Sequence, residues 1–297
     1  MPRSFLSFVL GLSALLFLPL SQGCGSDETP VVCLGDEAFC GMRYDELAYA
    51  TTHNAYAVDA LFDFSNQSRS ITQQLRDGVR ALMLDVYDGA DHELGEELFS
   101  CHGVCDPYVG VRLFSEDLAE IVRFLNENPR EIVTIIFESY APPEKLRAVF
   151  EAEGALALTR AQKLDEPWPT LEELIDQNER LLVFSDRDGF AYDWHLPVFE
   201  FMRETPYAAQ VPEDLRCEGG RGAEDARLLI FNHFLTQVVG SADLAERINH
   251  EPFLSERIRD CEEALGQKVN FITVDYYEIG DVLSVVERIN VERASGR

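Results

Sequence analysis

The stretch Arg80-Ala-Leu-Met-Leu-Asp85 is apolar through its middle and then ends on a carboxylate. A short apolar run of this kind is typical of a strand that is buried on both faces in a parallel sheet. Because side chains alternate along a strand, Asp85 is expected to face the same side as Met83 and Ala81. The stretch therefore predicts a buried strand that delivers one polar group at its carboxyl end.

The rest of the chain repeats this pattern and alternates it with helical periodicity. The strand-like runs are Leu47–Thr51, Arg80–Val86, Leu98–Cys101, Ile132–Phe137, Leu181–Phe184, Leu228–Phe231 and Val269–Val274. The helical segments are Ser115–Asn126, Pro143–Glu153, Thr170–Gln177, Ala242–Ile248, Phe253–Leu265 and Asp281–Ile289. Alternation of this kind predicts an α/β fold with a parallel sheet.

A (β/α)8 barrel of the TIM type is the favoured architecture, because about 250 residues suffice for one. Only seven runs are clear, so the barrel is expected to be irregular, with an eighth strand near Ala155–Leu158 or Val198–Phe201. An open, doubly wound sheet is the alternative, but its Gly-x-Gly-x-x-Gly fingerprint is absent from this sequence.

Polar residues fall at or just after the carboxyl ends of nearly all these runs, which is where the active sites of α/β barrels are built. These residues are His53, Asn54, Asp85, His102, Glu138, Asp186, Asn232 and Asp275. Each could serve as a turn or capping residue, and Asp186 is the strongest candidate for such a role. Their repetition at so many strand ends favours one converging site.

Charge and targeting signals narrow the function class. The 297 residues carry a formal net charge of -28, which opposes binding to nucleic acid. Residues 1–23 are predicted to be a signal peptide, and the small residues before Cys24 suggest a lipoprotein type. Residues 24–45 are then a tether and N-terminal cap, and residues 46–297 form the barrel. We expect an exported monomer that is either anchored by lipid at Cys24 or secreted.

Export also bears on the cysteines. If Cys24 carries lipid, six of the seven cysteines remain, and an oxidising compartment favours three disulfides. Proximity in sequence favours Cys33 with Cys40 and Cys101 with Cys105, which leaves Cys217 with Cys261, although sequence alone leaves the pairing open.

The two histidines at strand ends, His53 and His102, suit general acid–base catalysis, because imidazole has an ordinary pKa near 6.5. Together with several carboxylates at a barrel mouth, they favour phosphodiester cleavage. One histidine would deprotonate the attacking hydroxyl and the other would protonate the leaving oxygen. Asp275 is the candidate carboxylate for orienting one imidazole.

Several motifs resemble the X-domain of phosphatidylinositol-specific phospholipase C, and in particular its secreted bacterial and fungal branch. They are Thr52-His53-Asn54, Gln74-Leu-Arg-Asp-Gly-Val-Arg80, Leu84-Asp85-Val86-Tyr87, Cys101-His102-Gly103, Asn128-Pro-Arg-Glu-Ile-Val-Thr134, Trp168-Pro-Thr-Leu171, Glu204-Thr-Pro-Tyr207, Asn232-His-Phe234 and Val274-Asp-Tyr276. The resemblance extends from about Tyr44 to Asn290 and implies an often irregular (β/α) barrel.

The resemblance also implies roles for individual residues. His53 matches the base that deprotonates the inositol 2-hydroxyl, His102 matches the acid that protonates the diacylglycerol oxygen, and Asp275 matches the carboxylate paired with the base. The calcium ligands of the eukaryotic enzymes are matched by Asn54, Asp85 and Glu138. The bacterial metal-independent enzymes have an arginine at the position of Asp85.

This sequence departs from both patterns at Met83, where both enzyme types have a carboxylate. Loss of one carboxylate weakens a calcium site, because Ca²⁺ affinity follows the number and charge of oxygen ligands. We expect a weak Ca²⁺ site on Asn54, Asp85 and Glu138. The alternative is that no metal binds and that a basic side chain such as Arg187 supplies the positive charge.

The expected function is thus a phospholipase C-like phosphodiesterase that acts on a phospholipid or another phosphodiester, by hydrolysis or by cyclising phosphorus–oxygen lysis. One alternative is a sphingomyelinase D-like or glycerophosphodiester phosphodiesterase. The former needs a metal-binding Glu–Asp pair that Met83 interrupts, and the latter usually has Arg after the first histidine, where this chain has Asn54. A catalytically silent surface protein on the same barrel is the other alternative.

Overall fold

The structure is a computed structural model that describes residues 1–2, 32–103, 105–237 and 240–296. The strands are β1 (Tyr49–Thr52), β2 (Ala81–Asp88), β3 (Leu98–Ser100), β4 (Arg112–Leu113), β5 (Val133–Tyr140), β6 (Leu181–Ser185), β7 (His195–Pro197), β8 (Met202–Glu204), β9 (Leu228–Asn232) and β10 (Phe271–Val274). The α-helices are α1 (Glu37–Cys40), α2 (Ile71–Asp77), α3 (Phe114–Glu127), α4 (Pro143–Ala152), α5 (Leu171–Asp176), α6 (Val198–Phe201), α7 (Ala242–Glu246), α8 (Phe253–Leu265) and α9 (Val282–Ser295). Short 3₁₀ helices cover Tyr44–Glu46, Gly89–His92, Ala155–Leu158 and Pro212–Asp214.

Eight strands form a curled parallel sheet in the order β7-β6-β5-β2-β1-β10-β9-β8. Every neighbouring pair along this path is parallel. Among the described residues, β7 and β8 are not hydrogen-bonded to each other, so the barrel is interrupted at that point. The predicted α/β class and the irregular TIM-type barrel are confirmed.

One detail of the strand prediction is wrong, and another is right only in its location. Leu98–Cys101 is not a barrel strand, because β3 pairs antiparallel with the extended end of β2. Of the two places where a further strand was expected, Ala155–Leu158 is a 3₁₀ helix, whereas β7 and β8 directly flank Val198–Phe201, which is itself α6. Three residues are too few to show a strand periodicity, so the bounds of β7 and β8 could not be predicted.

The alternation predicted from β2 is confirmed by the packing. Ala81 and Met83 belong to the cluster inside the barrel, whereas Leu82 and Leu84 pack with the helices outside. On the neighbouring strand β5, Ile136 joins the inner cluster. Burial of each such aliphatic side chain stabilises the fold by about 1.5–3 kcal/mol, so the two apolar layers fix which face of β2 carries Asp85.

The described part of the N-terminal cap packs against the barrel. Phe39, Met42 and Tyr44 join the inner cluster, and the Tyr44 hydroxyl lies 2.5 Å from Thr134 Oγ1. This segment therefore closes one end of the apolar interior. The predicted signal peptide and Cys24 lie outside the described residues, apart from Met1 and Pro2. In the described part of the chain, no helix has the length and apolarity to cross a membrane.

The three expected disulfides are present. They join Cys33 to Cys40, Cys101 to Cys105 and Cys217 to Cys261, as proximity in sequence favours. The second bridge encloses His102 in a five-residue loop, and the third links α8 to the loop before β9. The cross-links thus tie short irregular segments to the barrel.

Candidate active site

A cavity of about 570 Å³ opens at the carboxyl ends of the parallel strands. Among the residues that line it are His53, Met83, Asp85, His102, Ile136, Glu138, Asp186, Arg187, Phe199, Glu204, Tyr207, Arg221, Asn232 and Phe234. Six of the eight polar strand-end residues named from the sequence are in this group. The other two, Asn54 and Asp275, are buried and are not among the lining residues.

The first histidine pairs with the carboxylate that the sequence favoured. β1 and β10 are neighbours, and the His53 amide continues their ladder by donating to Val274 O at 3.0 Å. His53 Nδ1 then lies 2.9 Å from Asp275 Oδ1. The imidazole stacks on Phe234 with 4.0 Å between ring centroids. With Nδ1–H donating to the carboxylate, Nε2 is the ring nitrogen left for proton transfer.

Both members of this pair sit next to sharp backbone turns. Asn54 and Tyr276 follow them in the left-handed region, with φ of 45° and 46°. Asn tolerates this conformation better than most residues, which accounts for the presence of an asparagine at position 54, directly after His53. The buried Gln67 side chain donates to His53 O at 2.8 Å and to Val274 O at 3.1 Å, so it pins the two strand ends together.

The second histidine pairs with a carboxylate that the sequence had assigned elsewhere. β3 runs back along β2 and returns the chain to the mouth, where Cys101 N donates to Asp85 O at 3.4 Å. His102 Nδ1 lies 2.8 Å from Asp85 Oδ2. The His102 side chain is 68% exposed whereas that of His53 is 20% exposed, so His102 stands at the rim and His53 inside.

Hydrogen bonding to Asp85 raises the pKa of His102 above its ordinary 6.5. Burial raises the pKa of Asp85, and its bond to His102 acts against that rise. Negative charge on Glu138 contributes to the rise at both groups. A histidine with a raised pKa keeps its proton to higher pH, which is the state that a general acid needs.

The cavity lining also contains Glu204 and Arg221, to which the sequence assigned no role. Glu204 is buried at the end of β8, pairs with Arg221 and accepts from Asn232 Nδ2 at 3.3 Å. The Arg221 guanidinium lies 4.5 Å from the ring centroid of Phe199 and 4.6 Å from that of Tyr207. Glu204 ends one of the unrecognised strands, and the glycines around Arg221 suggested only a loop.

Arg187, the alternative source of positive charge, also lines the cavity. Its guanidinium lies 3.9 Å from the Tyr140 ring centroid and its Nε is 3.6 Å from Asp186 Oδ2. Asp186 accepts from Ser139 N at 2.8 Å, so it joins the loop after β6 to β5 and has the turn role considered for it. Arg187 is thus held at the rim by a carboxylate and an aromatic ring.

Each of the three predicted calcium ligands is hydrogen-bonded to a neighbouring side chain. Asn54 donates through Nδ2 to Asn66 Oδ1 at 3.2 Å, and Asp85 is bonded to His102. Glu138 accepts from the Tyr140 hydroxyl. Within the described ranges, no cluster of three or more His, Cys, Asp or Glu side chains is arranged to hold a metal ion. Calcium binding stays a prediction, and with Met83 at the position of a family carboxylate the predicted set has two carboxylates, which makes it a poor fit for Ca²⁺.

His233 lies outside the catalytic pair and is a structural residue. It is completely buried, accepts from Arg257 Nη1 at 3.0 Å through Nδ1, and donates from Nε2 to Ile248 O at 3.0 Å. Burial, followed by the charge of Arg257, lowers the pKa of His233 from 6.5 to about 3. Its neutral form is therefore built into the fold.

This gives a prediction for stability against pH. Below about pH 6.5 the unfolded histidine takes up a proton, whereas the folded one stays neutral down to about pH 3. Wild-type stability relative to His233→Gln should thus fall by about 2 kcal/mol between pH 7 and pH 5. Urea unfolding of both proteins measures this difference, in which groups common to both cancel. Parallel pH curves would show that His233 protonates normally in the folded state.

The comparisons with known proteins identify the family of this chain. The family model described as PI-PLC X 1 matches residues 39–290. The chain belongs to the PI-PLC X family.

A PI-PLC X domain-containing protein of Arabidopsis thaliana is 28% identical over 84% of this chain and 63% of its own length. PI-PLC X domain-containing protein 1 of Arthroderma benhamiae is 27% identical over 98% of this chain and 99% of its own length. The chain spans under two thirds of the plant relative.

Solved structures show the same fold at low sequence identity. The phosphatidylinositol-specific phospholipase C of Listeria monocytogenes has a TM-score of 0.61 at 13% identity, covering 84% of this chain and 95% of its own. A Staphylococcus aureus enzyme of the same name has a TM-score of 0.59 at 12% identity, covering 84% of this chain and 94% of its own. These likenesses support the barrel architecture.

Proposed function

We propose that this PI-PLC X protein is a phosphoric diester hydrolase that cleaves a lipid phosphodiester by general acid–base catalysis. One observation carries the proposal: two histidines face one cavity, and each is hydrogen-bonded through Nδ1 to its own buried carboxylate. The structural residue His233 is held through both ring nitrogens, whereas this arrangement presents Nε2 of His53 and of His102 for proton transfer.

The reaction proceeds by internal attack. His53 Nε2 takes the proton of a hydroxyl next to the phosphate, and that oxygen forms a new bond to phosphorus. The bond from phosphorus to the glycerol oxygen breaks, and His102 gives its proton to the departing oxygen. The products are a cyclic phosphodiester and a diacylglycerol, and hydrolysis of the ring with reversed proton roles gives the open phosphate.

Each carboxylate supports its histidine in a different role. Asp275 accepts the Nδ1 proton of His53, orients the ring and stabilises the imidazolium that forms. Asp85 raises the pKa of His102 and so favours its protonated form. Positive charge from His102, with Arg187 and Arg221 at the same cavity, would oppose the charge of the phosphorane. No step is assigned to calcium.

The lipid character of the substrate is inferred from the printed names of the Listeria and Staphylococcus structures, both phosphatidylinositol-specific phospholipases C. Export is inferred from the three disulfides and from an Arthroderma benhamiae relative, 25% identical over 84% of this chain, that is named as a secreted protein. Lipidation of Cys24 and the monomeric state stay predictions.

The test is a substrate panel. Vesicles of phosphatidylinositol, vesicles of sphingomyelin and soluble glycerophosphoinositol are each incubated with the protein, with EDTA or with CaCl₂, and the phosphorus-containing substrate and products are followed by phosphorus NMR. We expect release from phosphatidylinositol in both buffers. Turnover of only sphingomyelin or glycerophosphoinositol would move the function to one of the alternative phosphodiesterases. Loss of all turnover in EDTA would contradict the metal-free mechanism, and no turnover of any substrate would contradict the proposed activity.

A further inference from the structure

A second amide touches both members of the His53–Asp275 pair. Asn66 Nδ2 lies 3.1 Å from Asp275 Oδ1 and 3.4 Å from His53 Nδ1, and Asn66 is itself buried. Its other amide atom, Oδ1, accepts from Asn54 Nδ2 at 3.2 Å. A continuous chain of side-chain contacts therefore runs from Asn54 through Asn66 to the catalytic carboxylate.

The chemistry of the groups fixes the direction of this chain. An amide nitrogen can only donate, and His53 Nδ1 is already occupied as the donor to Asp275. The Asn66 proton therefore belongs to Asp275 Oδ1, which accepts from both His53 and Asn66. Asn54 Nδ2 thus donates to Asn66 Oδ1, and Asn66 Nδ2 donates to the Asp275 carboxylate.

Asn66 is also held by its backbone. Its N–H donates to Ala57 O at 2.9 Å, and its carbonyl accepts from Tyr276 N at 2.8 Å. Because Tyr276 directly follows Asp275, Asn66 contacts both the Asp275 carboxylate and the backbone next to it. The loop between β1 and α2 thus places this amide against the end of β10.

The remaining side of the carboxylate is closed by backbone. Asp275 Oδ2 is buried and has no hydrogen-bond partner among the described residues. A Cβ built on Gly240 would lie 2.4 Å from that oxygen and 2.7 Å from Asn66 Nδ2. An unpaired buried oxygen costs free energy of folding. The position of the Asp275 carboxylate therefore depends on the hydrogen bonds that its other oxygen, Oδ1, accepts from His53 and Asn66.

We propose that Asn66 and Asn54 are positioning residues that fix Asp275, and through it the His53 ring, and that Asn54 acts in this relay instead of as a calcium ligand. The Asn54 carboxamide is turned toward Asn66, away from the lining of the cavity. The absence of a carboxylate at Met83 agrees with this role, because the calcium ligand set is already incomplete there. The inference rests on the proposed function only for its rate measurements.

The first test compares Asn66→Ala, the equal-sized Asn66→Asp and the control Asn126→Ala on the exposed face of α3. Both Asn66 variants should lose roughly 10–100-fold in kcat with little change in KM, as expected for a group that orients a catalytic residue. Asn126→Ala should keep the wild-type rate. Wild-type kcat in Asn66→Asp would overturn the proposal, because packing alone would then suffice.

The second test does not depend on activity. Proton NMR of the folded protein should show the His53 Nδ1–H resonance far downfield in wild type and in Asn126→Ala, and it should shift upfield or be lost in Asn66→Asp and in Asn54→Ala. An unchanged resonance in both variants would overturn the relay. If wild type turns over no diester while this pattern holds, the proposed function fails and the relay stands.

Calorimetric titration with CaCl₂ separates the two roles of Asn54. We expect no saturable heat with wild type. For wild type, kcat in EDTA should equal kcat in CaCl₂, and the same should hold for Asn54→Ala at its own rate. Uptake of one calcium ion by wild type that is lost in Asn54→Ala would overturn the proposal and assign Asn54 to a metal site.

Discussion

Replacement of His53 by alanine is expected to lower kcat for phosphodiester cleavage by about 10²–10⁴-fold, the usual contribution of a general base. The side chain offers Nε2 to the cavity and is oriented by Asp275 and by stacking on Phe234. Removal of the imidazole leaves the attacking hydroxyl without a proton acceptor. Initial rates on phosphatidylinositol vesicles at saturating lipid measure the loss.

The matched control is His250→Ala, which removes an imidazole that is not among the cavity-lining residues. It should keep the wild-type kcat. Asp275→Asn should also lose rate while its shape is preserved, because the amide no longer accepts the Nδ1 proton as a carboxylate does. Equal turnover by His53→Ala and wild type would contradict the assignment of the base.

Replacement of His102 by alanine should have an effect that depends on the leaving group. For a diacylglycerol leaving group we expect a loss of about 10²–10⁴-fold, because an alkoxide departs poorly without a proton. For a p-nitrophenyl ester of inositol phosphate the loss should be at least tenfold smaller, since p-nitrophenolate departs without protonation. Initial rates of wild type and variant on the two substrates measure the contrast.

The same pair of substrates distinguishes the two histidines. His53→Ala should lose a similar factor on both, because the attacking hydroxyl is the same in each. A His102→Ala loss that is equal on the two leaving groups would show that His102 does not act as the acid. A His53→Ala loss confined to the lipid substrate would show that the roles are reversed.

Much of the site follows from rules that operate within single strands. β2 alternates between two apolar layers, and a slip by one residue would bury the wrong face, so the side on which Asp85 emerges could be predicted. Asp275 and His53 follow neighbouring parallel strands, and parallel strands bring their carboxyl ends to one edge. Prediction of the contact between His53 and Asp275 therefore required only that the sheet be recognised as parallel.

The parts that could not be predicted depend on irregular segments. Asn66 belongs to a loop without periodicity, and its contacts come from turns at Asn54 and Tyr276. His102 reaches Asp85 because β3 runs antiparallel, whereas the sequence suggested another barrel strand. The partner of Asp85 was therefore missed, and a metal was expected in its place.

The wall that contains Glu204 and Arg221 was missed for a related reason. β7 and β8 have three residues each, and α6 between them has four, so no window of sequence shows a period. Gly220 and Gly222 pack against the backbone of β8, since a Cβ at either would lie within 2.2 Å of a carbonyl oxygen. Only the fold reveals that these glycines bring Arg221 to the cavity.

The most direct test of the acid–base mechanism is the phosphorus NMR spectrum of phosphatidylinositol during its cleavage by the wild-type protein in EDTA. Internal attack assisted by His53 and His102 predicts that the resonance of a five-membered cyclic phosphate appears first and that an open phosphate follows. Direct appearance of the open phosphate, or a lipid phosphate resonance that never changes, would contradict the mechanism.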